Sequence, residues 1–406
     1  MVKSRVNRKF KRTHSIVLLF SCALVLFSSA CGSKRPPVLA TPTGGPAPPP
    51  PITVPGQVKR TPQIRVLLKE NFRSVSVEGS DLASLVVIEA KGDQIHLSDG
   101  TGKKLGSGSG FLLKPLRGNL LKLDGAPYHG VIEVFFNPLT RSVVVNEVSL
   151  ESYLKGVVPN ELGSTDPSRA EAIKTLTIAA RTFAYSSLGQ NAVRGFDVFS
   201  DSRSQVYRGV RSEKPLSNRM IDETRGIIAT YRDQPIVAFY SSTCGGRTED
   251  YREVFQRDSI PYLQGGAVCP DTSSPYHSWD EHISISQIQG RLDRFAGVGK
   301  LIRLDPLRKS RWGRTVEMRF VGTKGDKVLK GLNIRSALGL RSNWITDFDV
   351  HLDRSGLIVE IHVRGKGWGH GVGLCQIGTV ELAGRGWNFE RILKHYYKGI
   401  EVTRRW

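Results

Sequence analysis

Residues 166–189 read DPSRAEAIKTLTIAARTFAYSSLG, and this stretch decides between an all-β chain and a mixed one. Asp166 followed by Pro167 offers an N-cap with proline in the first turn, Ser168 with Glu171 offers an alternative capping box, and Gly189 is a stop. Ala170, Ile173, Leu176, Thr177, Ala180, Phe183 and Ala184 recur at helical spacing and predict a buried face. From Thr175 to Gln190 the one charged residue is Arg181. A guanidinium on a helix this apolar must find a carboxylate, a carbonyl or a ligand anion to offset its desolvation.

Outward from this helix the pattern changes on both sides. Upstream, roughly 58–143 alternates β-branched and aromatic runs (IRVLL, SLVVIEA, GVIEVFF) with turn clusters (KGDQ, SDGTGKK, GSGSG), which predicts a β-rich lobe. Downstream, IIATYRDQPIVAFYSSTCGG (227–246) reads as a hairpin ending in a small, polar, glycine-rich loop. SQIQGRLDRFAG and NIRSALGL read as short helices and TVEMRFVG as a strand. Residues 357–397, LIVEIHVRGKGWGHGVGLCQIGTVELAGRGWNFERILKHYY, give a strand, a glycine-dense loop and two helices. Helices interleaved with antiparallel strands make the expected class α+β. The expected divisions are an export signal over 1–31, a proline-rich linker over 32–57, the β lobe over 58–143 and a mixed helix and strand domain over 144–406. No internal repeat is present.

The 406 residues are 39 % apolar and 23 % charged, which is a globular composition, and carry a formal net charge of +21. That charge favours polyanions, whether nucleic acid, anionic membrane or carboxylate-rich wall polymer. The N-terminus narrows the choice. Lys3, Arg5, Arg8, Lys9, Lys11 and Arg12 precede an apolar run from Ile16 to Phe27 and the small residues Ser28, Ser29 and Ala30, the order of an export signal. The run is shorter than the ~20 residues of a spanning helix. Cys31 follows as the acylated cysteine of a bacterial lipoprotein would, although Ser28 stands where leucine is usual. The expectation is an exported chain at the cell envelope whose signal is removed and which is tethered through lipid on Cys31, with simple secretion or an uncleaved signal as the alternatives and nucleic acid excluded as a partner.

Beyond Cys22 and Cys31 the cysteines are Cys244, Cys269 and Cys375. In an oxidising compartment Cys244 and Cys269 are the disulfide candidate and Cys375 a buried small residue; three free thiols are the alternative. Without a CxxC or HxxxH pair, no metal is expected.

Residues 156–163, GVVPNELG, place the lone carboxylate of Glu161 one loop before the long helix. Glu161 is either a turn residue paired with Arg181 or a catalyst. Pairing would lower its pKa, so if Glu161 is an acid, Arg181 is better placed on a substrate carboxylate or acetyl group. The loop GKGWGHGVGLCQIG has glycine at 365, 367, 369, 371, 373 and 378, which lets backbone approach a ligand and carry His370 and Gln376 into a cleft. No register gives GxGxxG, so dinucleotide binding is unsupported and no cofactor is expected.

The ordered blocks VNEVSLESYLKGVVPNELG, AIKTLTIAARTFAY, SDSRSQVYRGV, FYSSTCGGRTED, PYLQG and GKGWGHGVGLCQIG with ILKHYY, from about Val144 to Arg405, resemble the stage II sporulation protein D (SpoIID/LytB domain) family. The resemblance implies peptidoglycan lytic transglycosylation, which leaves 1,6-anhydro-N-acetylmuramic acid ends, with the catalytic glutamate of the VPxE block at Glu161. It also implies an alternative role, a noncatalytic wall-binding enhancer of a partner amidase. A two-carboxylate hydrolase is the third reading; it needs a second carboxylate roughly 5 to 9.5 Å away, for which Asp166, Glu171 and Asp201 are candidates. Gln205, Tyr207, Ser241, Ser242, His370 and Gln376, with Arg181, are the expected substrate contacts, and His370 is read as lining the substrate rather than acting as base. Many family members carry zinc-binding Cys, His and Cys before the QVY block; Phe199, Arg203 and Ser204 stand there in this chain.

Overall fold

The computed structural model describes residues 60–118, 120–162 and 166–406. The stretch read as an export signal, Cys31 and the proline-rich tract lie outside the described residues. Among those described, no helix is long and apolar enough to cross a membrane.

The class is α+β, as expected. Two sheets form the N-terminal lobe. One has the order Val198–Phe199, Gln63–Glu70, Arg141–Ser149, Val131–Asn137, Gly110–Leu113; the other runs Lys104–Gly108, Gln94–Asp99, Leu85–Lys91, Ser74–Glu78, Leu121–Leu123, Ala126–Tyr128. Alternation turns Val75, Val77, Val86, Ile88, Ile95 and Leu97 of the second sheet onto Leu113, Ile132, Val134 and Val144 of the first, giving one shared core. Arg141–Ser149 runs through position 144 without a break, so the β lobe delivers the chain straight into the first helix.

Helices α1 (Leu150–Lys155), α2 (Val158–Leu162) and α3 (Ala170–Ser186) follow. Ser149 caps α1 by accepting from Ser152 N–H at 3.2 Å. A 3-10 turn at Pro167–Arg169, capped by Asp166 on Ser168 N–H, leads into α3. The predicted stripe on α3 is an underestimate. Ala172, Thr175, Ile178, Ala179, Arg181 and Thr182 are buried as well, so the helix is enclosed nearly all round. It packs against α1, α2, α4 (Pro215–Glu223) and two later helices near the chain's end. The hairpin Ile227–Tyr231 with Gln234–Pro235 turns through Arg232 and Asp233, both at positive φ (49° and 62°), the twist a two-residue hairpin requires.

After α5 (Tyr251–Phe255), residues 278–366 build a core of their own. Two three-stranded sheets, Ser278–Ser284/Ile358–Lys366/Ile345–Leu352 and Leu301–Lys309/Thr315–Gly322/Gly325–Lys330, enclose α6 (Ile285–Phe295) and α7 (Leu332–Leu338). The chain then returns through the glycine-dense loop to α8 (Gln376–Gly384) and α9 (Phe389–Tyr396), which close over α3. Leu374–Cys375 pairs in parallel with Tyr240–Ser241, so the hairpin's exit and the start of α8 are neighbours.

Candidate active site

Glu161 sits in the single turn of α2, where Val158, Pro159 and Leu162 face the core and the carboxylate is half-buried. Asn160 anchors that turn: its Nδ2 donates to Gly156 O at 2.7 Å and to Val206 O at 3.1 Å, and its Oδ1 accepts from Ser212 Oγ at 2.9 Å. Val206 is thereby gripped on both sides, because its own N–H reaches Glu161 Oε1 at 3.4 Å. The other oxygen, Oε2, accepts from Gln376 Nε2 at 3.0 Å across 215 positions of sequence. Gln376 is the first residue of α8 and is itself buried.

A third donor is Tyr240, whose hydroxyl meets the Glu161 carboxylate. Behind it runs a short buried relay. Gln205 Nε2 donates to Tyr240 Oη at 2.9 Å, and Tyr153 Oη donates to Gln205 Oε1 at 3.1 Å. Each group of the relay has a fixed role, so the tyrosine is oriented without a charge nearby. Burial pushes the Glu161 carboxyl above its ordinary 4.5; the bonds from Gln376, Val206 and Tyr240 pull it back without cancelling that rise. Among the described residues no Lys, Arg or His pairs with Glu161.

Arg181 is corrected from a substrate contact to a structural group. It is fully buried, with Nε on Glu151 Oε1 at 3.1 Å and Nη2 on Glu151 Oε2 at 2.8 Å, and it also donates to Ile221 O at 3.1 Å and Ile227 O at 3.2 Å. Glu151 is completed by Gly226 N–H at 3.1 Å and Trp406 Nε1 at 3.0 Å. The helix dictated that the guanidinium be paired; the partner is the carboxylate of α1, not that of α2. Tyr207 is likewise a core residue. It is buried between Tyr153 and Tyr128, with its hydroxyl on Asn146 Oδ1 at 2.8 Å, and offers a substrate nothing.

The remaining expected contacts hold the glycine loop. Ser241 Oγ accepts from Gly371 N–H at 3.2 Å, and Ser242 O accepts from Ile377 N–H at 3.1 Å, while Ser242 Oγ lies 3.4 Å from Thr243 Oγ1. Gly371, at φ 72°, has no room for a side chain: a Cβ there would stand 2.0 Å from Arg314 Nη2. His370 Nδ1 accepts from Val372 N–H at 3.0 Å, and the half-buried ring lies edge-on to Phe239 and against Phe255. Burial, helped by the Arg314 and Arg335 charges, pushes the imidazole down to about 3, so it is neutral at physiological pH and is no reservoir of protons.

The three candidate second carboxylates have other partners. Asp166 caps Ser168, Asp201 holds Arg203 at 2.7 Å, and Glu171 accepts from Phe389 N–H at 2.8 Å and pairs with Lys174 at 3.2 Å. At the places of the family's zinc ligands, Phe199 N–H donates to Ser204 Oγ at 3.1 Å and Arg203 lies over the Phe199 ring. Cys244 and Cys269 are joined in a disulfide and Cys375 is a buried free thiol. A cavity of about 530 Å³, lined by Glu281, Arg291, Arg335, Arg341 and Trp368, involves none of the groups around Glu161.

Sequence reasoning missed Tyr240, Tyr153 and Val206. A signal for the first was available: on a strand successive side chains alternate, so Tyr240 and Ser241 cannot both face one cleft, and the aromatic hydroxyl has the longer reach.

These blocks match known sequences. Residues 140–231 match the SpoIID family model, described as stage II sporulation protein, and 263–373 match a domain of unknown function (DUF8618), which spans the segment with its own core. Stage II sporulation protein D of Bacillus subtilis is 31 % identical over 283 residues, covering 65 % of this chain and 77 % of that protein. An uncharacterized protein of Brachyspira hyodysenteriae is 30 % identical over 287 residues, 69 % of this chain and 73 % of that one. The amidase enhancer of Bacillus subtilis is 28 % identical over 380 residues, 77 % of this chain but 51 % of the enhancer. With Glu161, Gln376, Tyr240 and, behind Tyr240, Gln205 brought together from four of the recognised blocks, and with a named relative matched over most of its length, the chain belongs to the stage II sporulation protein D family.

Proposed function

We propose that this chain is a peptidoglycan lytic transglycosylase with Glu161 as both acid and base. The observation that carries the reading is the environment of that carboxyl: it is half-buried, held by three neutral donors, lacks a cationic partner among the described residues, and its pKa is raised. A group poised in this way donates its proton to the glycosidic oxygen as the bond to C1 breaks. The carboxylate so formed then takes the proton from the muramoyl C6 hydroxyl as that oxygen closes on C1. One carboxyl serves both steps, and no activated water is needed. The donors have a further use in the second step, since Gln376, Val206 and Tyr240 stabilise the ionised form until it is reprotonated.

Against the hydrolase reading, Glu171 and Asp201 are paired with Lys174 and Arg203, which favours a structural role for both. The amidase enhancer among the relatives favours a second reading, a noncatalytic wall-binding protein that acts on a partner amidase. The deciding experiment is mass spectrometry of peptidoglycan, intact and stripped of stem peptides, after incubation with the full chain and with Glu161→Gln. Anhydro-muramoyl products from the first and none from the second are expected. Products unchanged by the substitution would remove Glu161 from the chemistry, and no glycan product from either substrate would leave the enhancer reading standing.

A further inference from the structure

Directly behind Gln376, four groups that the proposed reaction does not use converge in the core. The sulfurs of Cys244, Cys269 and Cys375 lie within 4.8 Å of one another, and all three residues are buried. Asp271, with none of its surface exposed, brings Oδ2 to 3.4 Å from Cys244 Sγ and 3.5 Å from Cys375 Sγ. A disulfide between Cys244 and Cys269 employs two of these four groups and calls for no carboxylate, yet a carboxylate has been taken fully out of water to stand beside it. A buried carboxylate needs donors or a cation around it, and on the side of Oδ2 the nearest groups are one backbone N–H and the Cys244 and Cys375 sulfurs.

The spacing fits a tetrahedral zinc ion. With Zn–S about 2.3 Å and Zn–O about 2.0 Å, ligands at the tetrahedral angle place oxygen about 3.5 Å from each sulfur and the sulfurs about 3.8 Å from one another. The oxygen–sulfur distances to Cys244 and Cys375 are already at that value, while the Cys244 and Cys269 sulfurs, bonded in the disulfide, must part to reach theirs. The surroundings are also those of a ligand shell. His277 Nδ1 meets the other Asp271 oxygen at 2.8 Å and Gly245 N–H donates to Oδ2 at 2.8 Å, which orients the carboxylate. Cys244 N–H and Gly378 N–H point at Cys375 Sγ at 3.3 and 3.4 Å and fix its position. Three thiolates and a carboxylate outweigh a divalent ion by two negative charges, and the fully buried Arg314, whose Nη2 donates to Cys244 O at 2.9 Å, supplies a fixed positive charge alongside.

We propose that Cys244, Cys269, Cys375 and Asp271, with the Cys244–Cys269 pair in its dithiol form, are the four ligands of a structural zinc site. From the disulfide, a thiol reductant must first supply two electrons and two protons; from the dithiol, binding displaces the three thiol protons to solvent and no electron moves. The pairwise disulfide and the metal are alternative occupants of the same two sulfurs. Four protein ligands close the coordination sphere, so the ion ties segments together rather than activating water. It would fasten the turn after Tyr240, the 269–271 segment and the start of α8, and so fix Gln376, the residue after Cys375. The absence of CxxC from the sequence did not reveal this site because its ligands come from three distant segments and one is an aspartate.

The test needs no activity, so its failure and that of the transglycosylase reading are separable. The full chain is purified anaerobically with a phosphine reductant, its metal content measured by mass spectrometry, and the stripped protein titrated with cobalt(II). One zinc per chain is expected, with Cys244, Cys269 and Cys375 blocked to thiol reagents until the metal is removed. The cobalt form should show the sulfur-to-cobalt charge-transfer band and strong visible absorption of a tetrahedral thiolate site, lost in Cys375→Ser. His277→Ala, which leaves all four ligands, should weaken zinc on the order of 10- to 100-fold and serves if the serine variant does not fold. His362→Ala, in the exposed Asp280, His282 and His362 group, should leave the thiolate band unchanged. A reduced chain with its three thiols free that shows no thiolate band, or a band indifferent to both Cys375→Ser and His277→Ala, overturns the proposal.

Discussion

Replacing Glu161 with Gln separates chemistry from stability in one variant. The catalytic side is simple: a positioned acid or base is worth about 10²–10⁴ in rate, and Glu161 serves twice, so glycan cleavage by Glu161→Gln should fall by at least the upper part of that range. The stability side carries a sign. Because burial raises the Glu161 pKa above its ordinary 4.5, the native state holds the proton to higher pH than the unfolded chain does. Native stability therefore declines as pH rises from 4.5 through the folded value and is flat beyond it, by about 1.4 kcal/mol for each unit of the rise. Glutamine has no such decline. Its amide can accept on one side only, so either the Gln376 bond at 3.0 Å or the Val206 bond at 3.4 Å is lost, a pH-independent cost of about 0.5–1.5 kcal/mol. Urea unfolding of both proteins across the acid to neutral range reads the two effects apart. The variant should be weaker than the parent at acid pH and should recover relative to it as pH rises. Parallel stability curves would refute the account of the buried carboxyl, and unimpaired cleavage would refute the acid.

Gln376→Ala removes a donor that favours the ionised form, so the alkaline limb of the cleavage profile, where the acid loses its proton, should move to higher pH while the acid limb stays; a limb that moves down sinks the assigned role. Arg181→Met strands the buried Glu151 carboxylate and should cost about 3–5 kcal/mol in chemical denaturation, with Glu151→Gln added restoring part of it and the pH profile of the folded enzyme unmoved; a shifted profile at parental stability would return Arg181 to the cleft. His370, held down to about 3, should show no imidazole titration by NMR between neutral pH and about pH 4. Since the unfolded chain takes that proton near 6.5, native stability should fall as pH drops below that value; a titration near 6.5 in the native protein would refute its burial as described.

Features set by near neighbours were legible in the sequence and those set by distant ones were not. Asp166, Pro167 and the apolar spacing of 170–184 act within a few residues, so the long helix was readable with its start and its need to pair Arg181. The identity of the partner was not readable, because Glu151 and Glu161 both lie upstream at similar separations and differ only in which helix carries them inward. A weaker signal existed: Leu150, Tyr153 and Leu154 surround Glu151 on one helical face, so its carboxylate was bound for the core. Gln205 and Tyr207 show the same limit, since alternation sends both inward and leaves Val206 between them to meet the carboxylate. The contact between Gln376 and Glu161 spans 215 positions and depends on the return of the chain after residue 366, which no local pattern encodes. Family blocks indicated which residues belong together without saying which ones touch.

Glu151 and Glu161 occupy one corner of the molecule, on consecutive helices against α3, yet are prepared for opposite tasks. Glu151 receives a bidentate guanidinium, an indole N–H and a backbone N–H, and with all of them in place it is a permanent tie between α1, α3 and the chain near Trp406. Glu161 receives an amide, a hydroxyl and one long backbone N–H, which orient the carboxyl without forcing it to ionise. The difference rests on the register of α3: Arg181 points toward α1, where its charge is consumed in bonds to Glu151, Ile221 and Ile227. Had the guanidinium faced α2, Glu161 would be an ion pair and unable to hold a proton near neutrality. The buried pair is thus a condition of the proposed chemistry as well as a structural tie, because by occupying the buried guanidinium of the central helix it leaves the neighbouring carboxyl free to titrate.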